Sequence, residues 1–120
     1  TVLVYWTAYR LVGLNPGDRR LLWEVAHPSV GMNIDGTTTP VFAEGQLFVA
    51  SVYEGALMVR LKKDGPGAEK AWLRRAMNPQ VLEGLNSMIA NPIYRDGHVY
   101  GIAYFGELRC LNAATGDVLW

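Results

Sequence analysis

The two histidines and the single cysteine are the residues whose side chains most readily carry acid–base or nucleophilic chemistry. His27 and His98 lie 71 residues apart, and neither stands in a sequence pattern typical of a catalytic acid, base and nucleophile. Cys110 lies beside Leu111 in the middle of an expected strand, which favours a small buried side chain over a reactive thiolate. No Cys/His group has metal-ligand spacing either. The sequence therefore predicts neither a catalytic nor a metal-binding residue.

Polar side chains are concentrated in two long connecting segments, residues 24–39 and 73–91. The candidates for contact with a ligand or partner are Asn33, Asp35, Asn86, Ser87 and Asn91. Side chains of these types also close loops by hydrogen bonding to nearby backbone groups. We favour that structural role, and keep ligand contact as the alternative.

Composition narrows the class of protein that these segments belong to. Half of the 120 residues are hydrophobic and only 18% are charged, which is enough apolar side chain to build a packed core. The 11 basic and 11 acidic residues balance, so no strong field attracts nucleic acid or anionic lipid. The apolar runs are far shorter than the roughly 20 residues that cross a bilayer. A nucleic-acid partner and a membrane span are both unexpected.

A repeat of about 50 residues organises the chain. Turn segments that lead to a tryptophan occur three times, ending at Trp23, Trp72 and Trp120, which are 49 and 48 residues apart. A period of this length indicates that the units are whole β-sheets rather than single elements. We therefore expect an all-β chain.

Each repeat contains the signals of four strands. In the central unit, β-branched or aromatic residues flank Gly45, which suits a hairpin turn, and a third strand is expected from Ala56 to Leu61. The fourth contains Trp72. Four antiparallel strands make one blade of a β-propeller. The sequence thus predicts about two and a half blades of one propeller domain: a partial blade 1–25, a blade 39–73 and a blade 91–120.

One segment has a local preference that conflicts with this interpretation. Residues 68–77 are rich in helix-forming side chains. Because Trp72 falls on the repeated tryptophan position, we expect a strand there, since packing in a sheet overrides a weak local propensity.

The repeat resembles a known family. The segment from Leu111 to Trp120, with its Thr115-Gly116 turn and closing tryptophan, is similar to the tryptophan-docking motif of pyrroloquinoline quinone (PQQ)-like β-propeller repeats. The segment from Asn91 to Tyr100 resembles the opening strand pair of such a repeat. Within the family, the chain resembles the outer-membrane assembly lipoprotein type and planctomycete-type PQQ-like repeat proteins. The two earlier tryptophan segments lack the Thr-Gly pair.

The resemblance implies a structural role for Trp23, Trp72 and Trp120, which in the family pack between neighbouring blades. Quinoprotein dehydrogenases of this fold hold their quinone with a pair of adjacent cysteines and a calcium site. This chain has one cysteine, so we expect no cofactor. Family members mostly work outside the cytoplasm, which implies a periplasmic or cell-surface location.

Two functions are consistent with these observations. The first is a non-catalytic propeller that acts as a scaffold or binding module for a protein or ligand, with the remaining blades and an unidentified protein as its partners. The second is a segment of a quinoprotein dehydrogenase or a multidomain enzyme whose catalytic residues lie outside this chain. We prefer the first.

Overall fold

The computed structural model describes residues 1–7, 9–27, 38–75 and 84–120. Ten β-strands form three antiparallel sheets, and the described residues contain no helix. The first sheet has the order β1-β2-β3, from Leu3–Trp6, Arg10–Leu14 and Leu21–Ala26. The second has the order β4-β5-β6-β7, from Val41–Ala43, Gln46–Ser51, Gly55–Leu61 and Ala68–Arg74. The third has the order β8-β9-β10, from Ile93–Arg95, His98–Ile102 and Leu108–Asn112. The predicted all-β fold is confirmed.

The second sheet is a complete four-stranded unit, and its strands meet through short turns. Glu44 and Gly45 make a two-residue hairpin between β4 and β5, with φ of 51° and 73°. Two consecutive positive φ values belong to the turn type whose twist matches that of the flanking strands. The last strand, β7, pairs with β6 from Ala56↔Arg74 to Leu61↔Ala68. A strand therefore surrounds Trp72, as the repeat predicts, in spite of the helix-forming residues.

The other two sheets repeat parts of this pattern. The first sheet contains three strands and ends with the one that carries Trp23. The third sheet begins with a hairpin at Asp96 and Gly97, whose φ values of 50° and 73° match those of the second sheet. Its fourth strand is reduced to an antiparallel bridge between Leu111 and Val118, extended by a hydrogen bond from the Cys110 N–H to the Trp120 carbonyl. The third sheet is thus less regular than predicted, because it has three full strands and a bridge instead of four full strands.

Hydrophobic side chains of the second sheet are buried on both of its faces. In β5, Leu47 and Val49 point into a core shared with the first sheet, while Phe48 and Ala50 point into a core shared with the third. Successive side chains of a strand point to opposite faces, so a strand covered on both sides must be apolar throughout. The three sheets are therefore stacked face to face, with two cores between them.

The first core is formed by buried residues of the first and second sheets: Trp6, Leu11, Trp23, Val25, Leu47, Val49, Leu57 and Val59. The second core joins the second and third sheets: Phe48, Ala50, Ala56, Met58, Leu85, Val99, Leu111 and Ala113. Burying one such large side chain contributes about 1.5–3 kcal/mol. We call the contacts across these cores the first seam and the second seam.

Three glycines leave room for large side chains at these packed positions. A Cβ atom on Gly13 would lie 2.2 Å from the Trp23 ring, and one on Gly101 would lie 2.6 Å from the Leu85 side chain. On Gly116 it would lie 2.7 Å from the Trp72 ring. Each glycine is therefore a socket for one partner side chain.

Candidate functional surface

Trp72 of the second sheet contacts the turn that follows β10 in the third sheet. Its indole Nε1 donates a 2.8 Å hydrogen bond to the carbonyl oxygen of Ala113, and its ring covers Gly116. On its own sheet the ring packs at 6.0 Å from Phe48. The tryptophan thus spans the second seam with both a polar and an apolar contact.

Arg74 reinforces the same contact from two residues further along β7. Its Nε donates to the carbonyl oxygen of Thr115 at 3.1 Å, and its guanidinium forms a 2.6 Å ion pair with Asp117. Both side chains are about half exposed, so the ion pair contributes at most about 1 kcal/mol. The Thr-Gly turn is therefore held mainly by Trp72.

The other two tryptophans occupy related strand positions. Trp23 pairs with Gly13 on the neighbouring strand, just as Trp72 pairs with Met58. Trp23 is buried in the first core. Trp120 hydrogen bonds through its backbone to Cys110, but its side chain is 60% exposed. Its ring contacts Tyr100 at 6.3 Å. The three tryptophans share a strand position, and two of them are covered by a neighbouring sheet.

Three of the five polar loop candidates lie in the described residues, and each hydrogen bonds to backbone. Asn86 is fully buried and donates from Nδ2 to the Val52 carbonyl at 2.6 Å. Ser87 donates to the carbonyl of Ile102 at 2.6 Å. The side-chain oxygen of Asn91 accepts a 2.8 Å hydrogen bond from the N–H of Thr39. Asn33 and Asp35 lie outside the described residues.

A further hydroxyl repeats the role of Ser87 and was missed in the sequence. Thr38 is buried and donates a 2.7 Å hydrogen bond to the carbonyl of Ala50. Ala50 and Ile102 hold equivalent positions, since each lies four residues after the start of the second strand of its sheet. Thr38 and Ser87 are therefore attached to equivalent strand positions in their sheets. The shared signal is a hydroxyl residue shortly before the repeated proline.

These bonds identify one end of the stacked sheets, which we call the loop end. It carries the β1–β2, β5–β6 and β9–β10 turns together with the segment from Gly84 to Asn91. Asn86 and Ser87 attach that segment to the residues around two of these turns. Five large apolar side chains are exposed there: Tyr9, Met88, Ile89, Tyr104 and Phe105.

The exposed side chains at the loop end differ from those on the sides of the sheets. Ile102, Leu108 and Trp120 are exposed on the third sheet, whereas their counterparts in the second sheet, Ala50, Ala56 and Trp72, pack in the second core. A further sheet would cover these side positions. Ile89, at 75% exposure the most exposed large hydrophobic among the described residues, lies instead in the loop segment. The loop end therefore carries exposed apolar side chains outside the faces of the sheets.

Neither Cys110 nor His98 lies among the exposed side chains of the loop end. Cys110 is buried with a free thiol, and the His98 ring lies 2.7 Å from the carbonyl of Asp96 in its own hairpin. Within the described ranges, no group of three or more His, Cys, Asp and Glu side chains could hold a metal ion. Nor does that part of the chain contain a helix that is long and apolar enough to span a membrane. The large exposed side chains named above offer apolar contact at this end.

The sequence predicts no catalytic role for His27, and the structure places it in an unusual environment. It is 1% exposed and meets the ring of Trp6 edge to face at 5.7 Å. Burial lowers its pKa from 6.5 to about 4, because the interior disfavours the charged imidazolium. The sequence could not show this, since the groups around His27 come from other strands.

Comparison with known proteins identifies the family. A sequence profile described as outer membrane protein assembly factor BamB matches residues 1–120. The BamB proteins of Moranella endobia and Yersinia pestis are 27% and 24% identical to this chain over 119 residues, which is 99% of the chain and 30% of each relative. The crystal structure of BamB from Moraxella catarrhalis superimposes on the whole chain with a TM-score of 0.62, at 17% identity and over 33% of its own length.

The chain spans about 30% of the length of these relatives. The structural likeness confirms the stacked antiparallel sheets as propeller blades, and the sequence match confirms the resemblance to PQQ-like repeats. The chain belongs to the family of the outer membrane protein assembly factor BamB.

Proposed function

We propose that this chain is part of a non-catalytic β-propeller that binds another protein in the assembly of outer-membrane proteins, on the periplasmic side. In this proposal residues 1–25, 39–73 and 91–120 belong to blades of one domain. The remaining blades cover the exposed sides of the first and third sheets. The matched relatives are named as outer membrane protein assembly factors, which supports a role in this process.

The observation that carries the binding role is the rigid, apolar loop end. Asn86 and Ser87 fix the loop by one buried and one partly buried hydrogen bond, so Met88 and Ile89 are held outward on a supported backbone. Preorganised apolar side chains bind with a smaller loss of conformational entropy than mobile ones do. Tyr104 and Phe105 meet edge to face at 5.1 Å and add aromatic surface at the same end, and such residues often dominate protein interfaces.

The polar candidates contribute to this function as supports. Asn86, Ser87 and Asn91 hold the loop segment in place, while the exposed apolar residues beside them make the contact with the partner. The proposal assigns no catalytic step to these residues.

The test is substitution at the loop end of the full-length protein in its source organism. Ile89→Asp combined with Met88→Asp places two charges where a partner would bury them, and should reduce the amount of correctly assembled outer-membrane proteins. The matched control is Leu21→Asp. Leu21 is an exposed hydrophobic residue at the opposite end of the first sheet, and its substitution should leave assembly unchanged.

Cellular levels and melting temperatures of the variants must be measured together with assembly. Reduced assembly at wild-type protein level and stability supports the proposal. Wild-type assembly in the loop-end variant, or an equal loss in the Leu21→Asp control, would refute the loop end as the binding surface.

A further inference from the structure

His27 lies at the loop end of the first seam. It directly follows β3, and its backbone N–H donates a 2.8 Å hydrogen bond to the carbonyl of Tyr9 in the β1–β2 turn. Its ring meets Trp6 at an interplanar angle of 78°, and Trp6 is itself buried in the first core. The imidazole is therefore part of the packing that joins the first and second sheets.

One ring nitrogen of each residue in this pair is buried without a hydrogen-bonding partner in the described structure. Nε2 of His27 and Nε1 of Trp6 are both buried without one. A buried charge without a partner costs far more free energy than an unpartnered neutral nitrogen does. The site accommodates a neutral histidine and is poorly suited to an imidazolium.

Charged groups act on His27 from the second sheet. Glu54, a buried residue in the β5–β6 turn, favours the protonated ring. Lys70 in β7 and Arg75, which follows that strand, oppose protonation. Burial is the largest influence and also opposes it, so that the pKa of His27 is lowered from 6.5 to about 4.

We propose that the first seam is an acid-sensitive joint, in which protonation of the His27 ring weakens its packing against Trp6 and separates the loop ends of the first and second sheets. The imidazolium reaches solvent, where both of its N–H groups bind water. That movement requires the seam to open, because His27 is enclosed by the β1–β2 turn and by the first core. The proposal does not depend on the binding role of the loop end.

The pH range follows from the direction of the shift. In the unfolded chain the ring binds a proton below its ordinary pKa of 6.5, whereas the folded ring does so only near 4. Stability from this site is complete above pH 6.5 and is lost as pH falls towards 4. Between pH 7.5 and pH 5 the folding equilibrium constant should fall by about 30-fold, which corresponds to about 2 kcal/mol.

The experiment measures chemical unfolding of the full-length protein at pH 7.5 and pH 5, in the wild type and in His27→Gln. From pH 7.5 to pH 5, the folding equilibrium constant should fall by a factor that is about 30 times larger in the wild type than in the variant. Hydrogen exchange compared between the two proteins at pH 5 should show faster exchange in Leu3–Trp6 and Arg10–Leu14 of the wild type. Peptides of the third sheet should exchange equally in both proteins.

The matched control is His98→Gln, the same substitution at the other histidine of the chain. His98 lies at the third sheet, beside its own hairpin, so this variant should keep the wild-type pH dependence. Nuclear magnetic resonance titration of the His27 ring provides a second measurement if His27→Gln does not fold. Parallel pH profiles of wild type and His27→Gln, or a His27 ring that titrates near 6.5, would overturn the proposal.

Discussion

Replacing Trp72 with alanine should weaken the second seam more than any other single truncation on β7. The indole fills the space above Gly116, contacts Phe48 and donates a hydrogen bond to the Ala113 carbonyl. Alanine leaves that space empty and the carbonyl without its donor. Because a blade buries its faces only against its neighbours, other parts of the fold do not replace this contact.

The expected loss combines two contributions. Truncating a large aromatic side chain in a core costs about 3–5 kcal/mol, and the partial exposure of Trp72 favours the lower half of that range. The hydrogen bond accounts for about 1 kcal/mol of it. Trp72→Phe keeps most of the apolar contact and should therefore lose only about 1–2 kcal/mol.

The assay is equilibrium chemical unfolding of the full-length protein at neutral pH. Glu69→Ala serves as the control, since Glu69 is an exposed residue of the same strand whose ion pair with Arg60 is a surface contact. It should change stability by less than about 1 kcal/mol. Trp72→Ala and Glu69→Ala with equal stability would refute the docking of Trp72 across the seam.

A double-mutant cycle with Gly116→Ala tests the same contact from the opposite side. Gly116 has a φ of 77°, so alanine there costs about 1 kcal/mol in backbone strain, and its Cβ displaces the Trp72 ring in addition. In the Trp72→Ala background only the backbone strain and the contact with Arg74 remain. The two substitutions should be non-additive by about 1–3 kcal/mol. Strict additivity would show that the ring does not occupy the socket.

Two further predictions concern the 120-residue chain on its own. Expressed alone it should oligomerise, exchange strands or aggregate, because the outer faces of the first and third sheets expose residues such as Tyr5 and Leu108; a monodisperse monomer in light scattering would contradict this. Titration with PQQ and calcium should give no saturable quenching of its tryptophan fluorescence, because the chain lacks adjacent cysteines. Quenching that saturates at micromolar quinone would instead support the dehydrogenase alternative.

The 50-residue repeat allowed much of the fold to be predicted. The clearest case is β7, where residues 68–74 have helix-forming side chains and form a strand. A local preference of a few tenths of a kcal/mol per residue is small beside the burial of Trp72 and the pairing with β6. The spacing of the tryptophans predicted a strand here, although the local composition favours a helix.

The candidate surface was less accessible to sequence reasoning. The sequence identified the loop that contains Asn86 and Ser87, but not the backbone carbonyls that these side chains contact, since those carbonyls belong to distant strands. It also gave no sign that His27 would be buried against Trp6. Both features depend on how neighbouring sheets stack, which no motif within a single repeat encodes.

The glycine sockets have a consequence for how this family varies over evolution. Gly13, Gly101 and Gly116 each admit one large side chain, from Trp23, Leu85 and Trp72 respectively. If one of these glycines is replaced by a residue with a side chain, the fold can accommodate it only if the partner side chain becomes smaller at nearly the same time. Each socket and its partner should therefore covary among homologous sequences. A blade duplicated or exchanged between relatives would need to carry both members of the pair, and at Gly116 the two members belong to different blades.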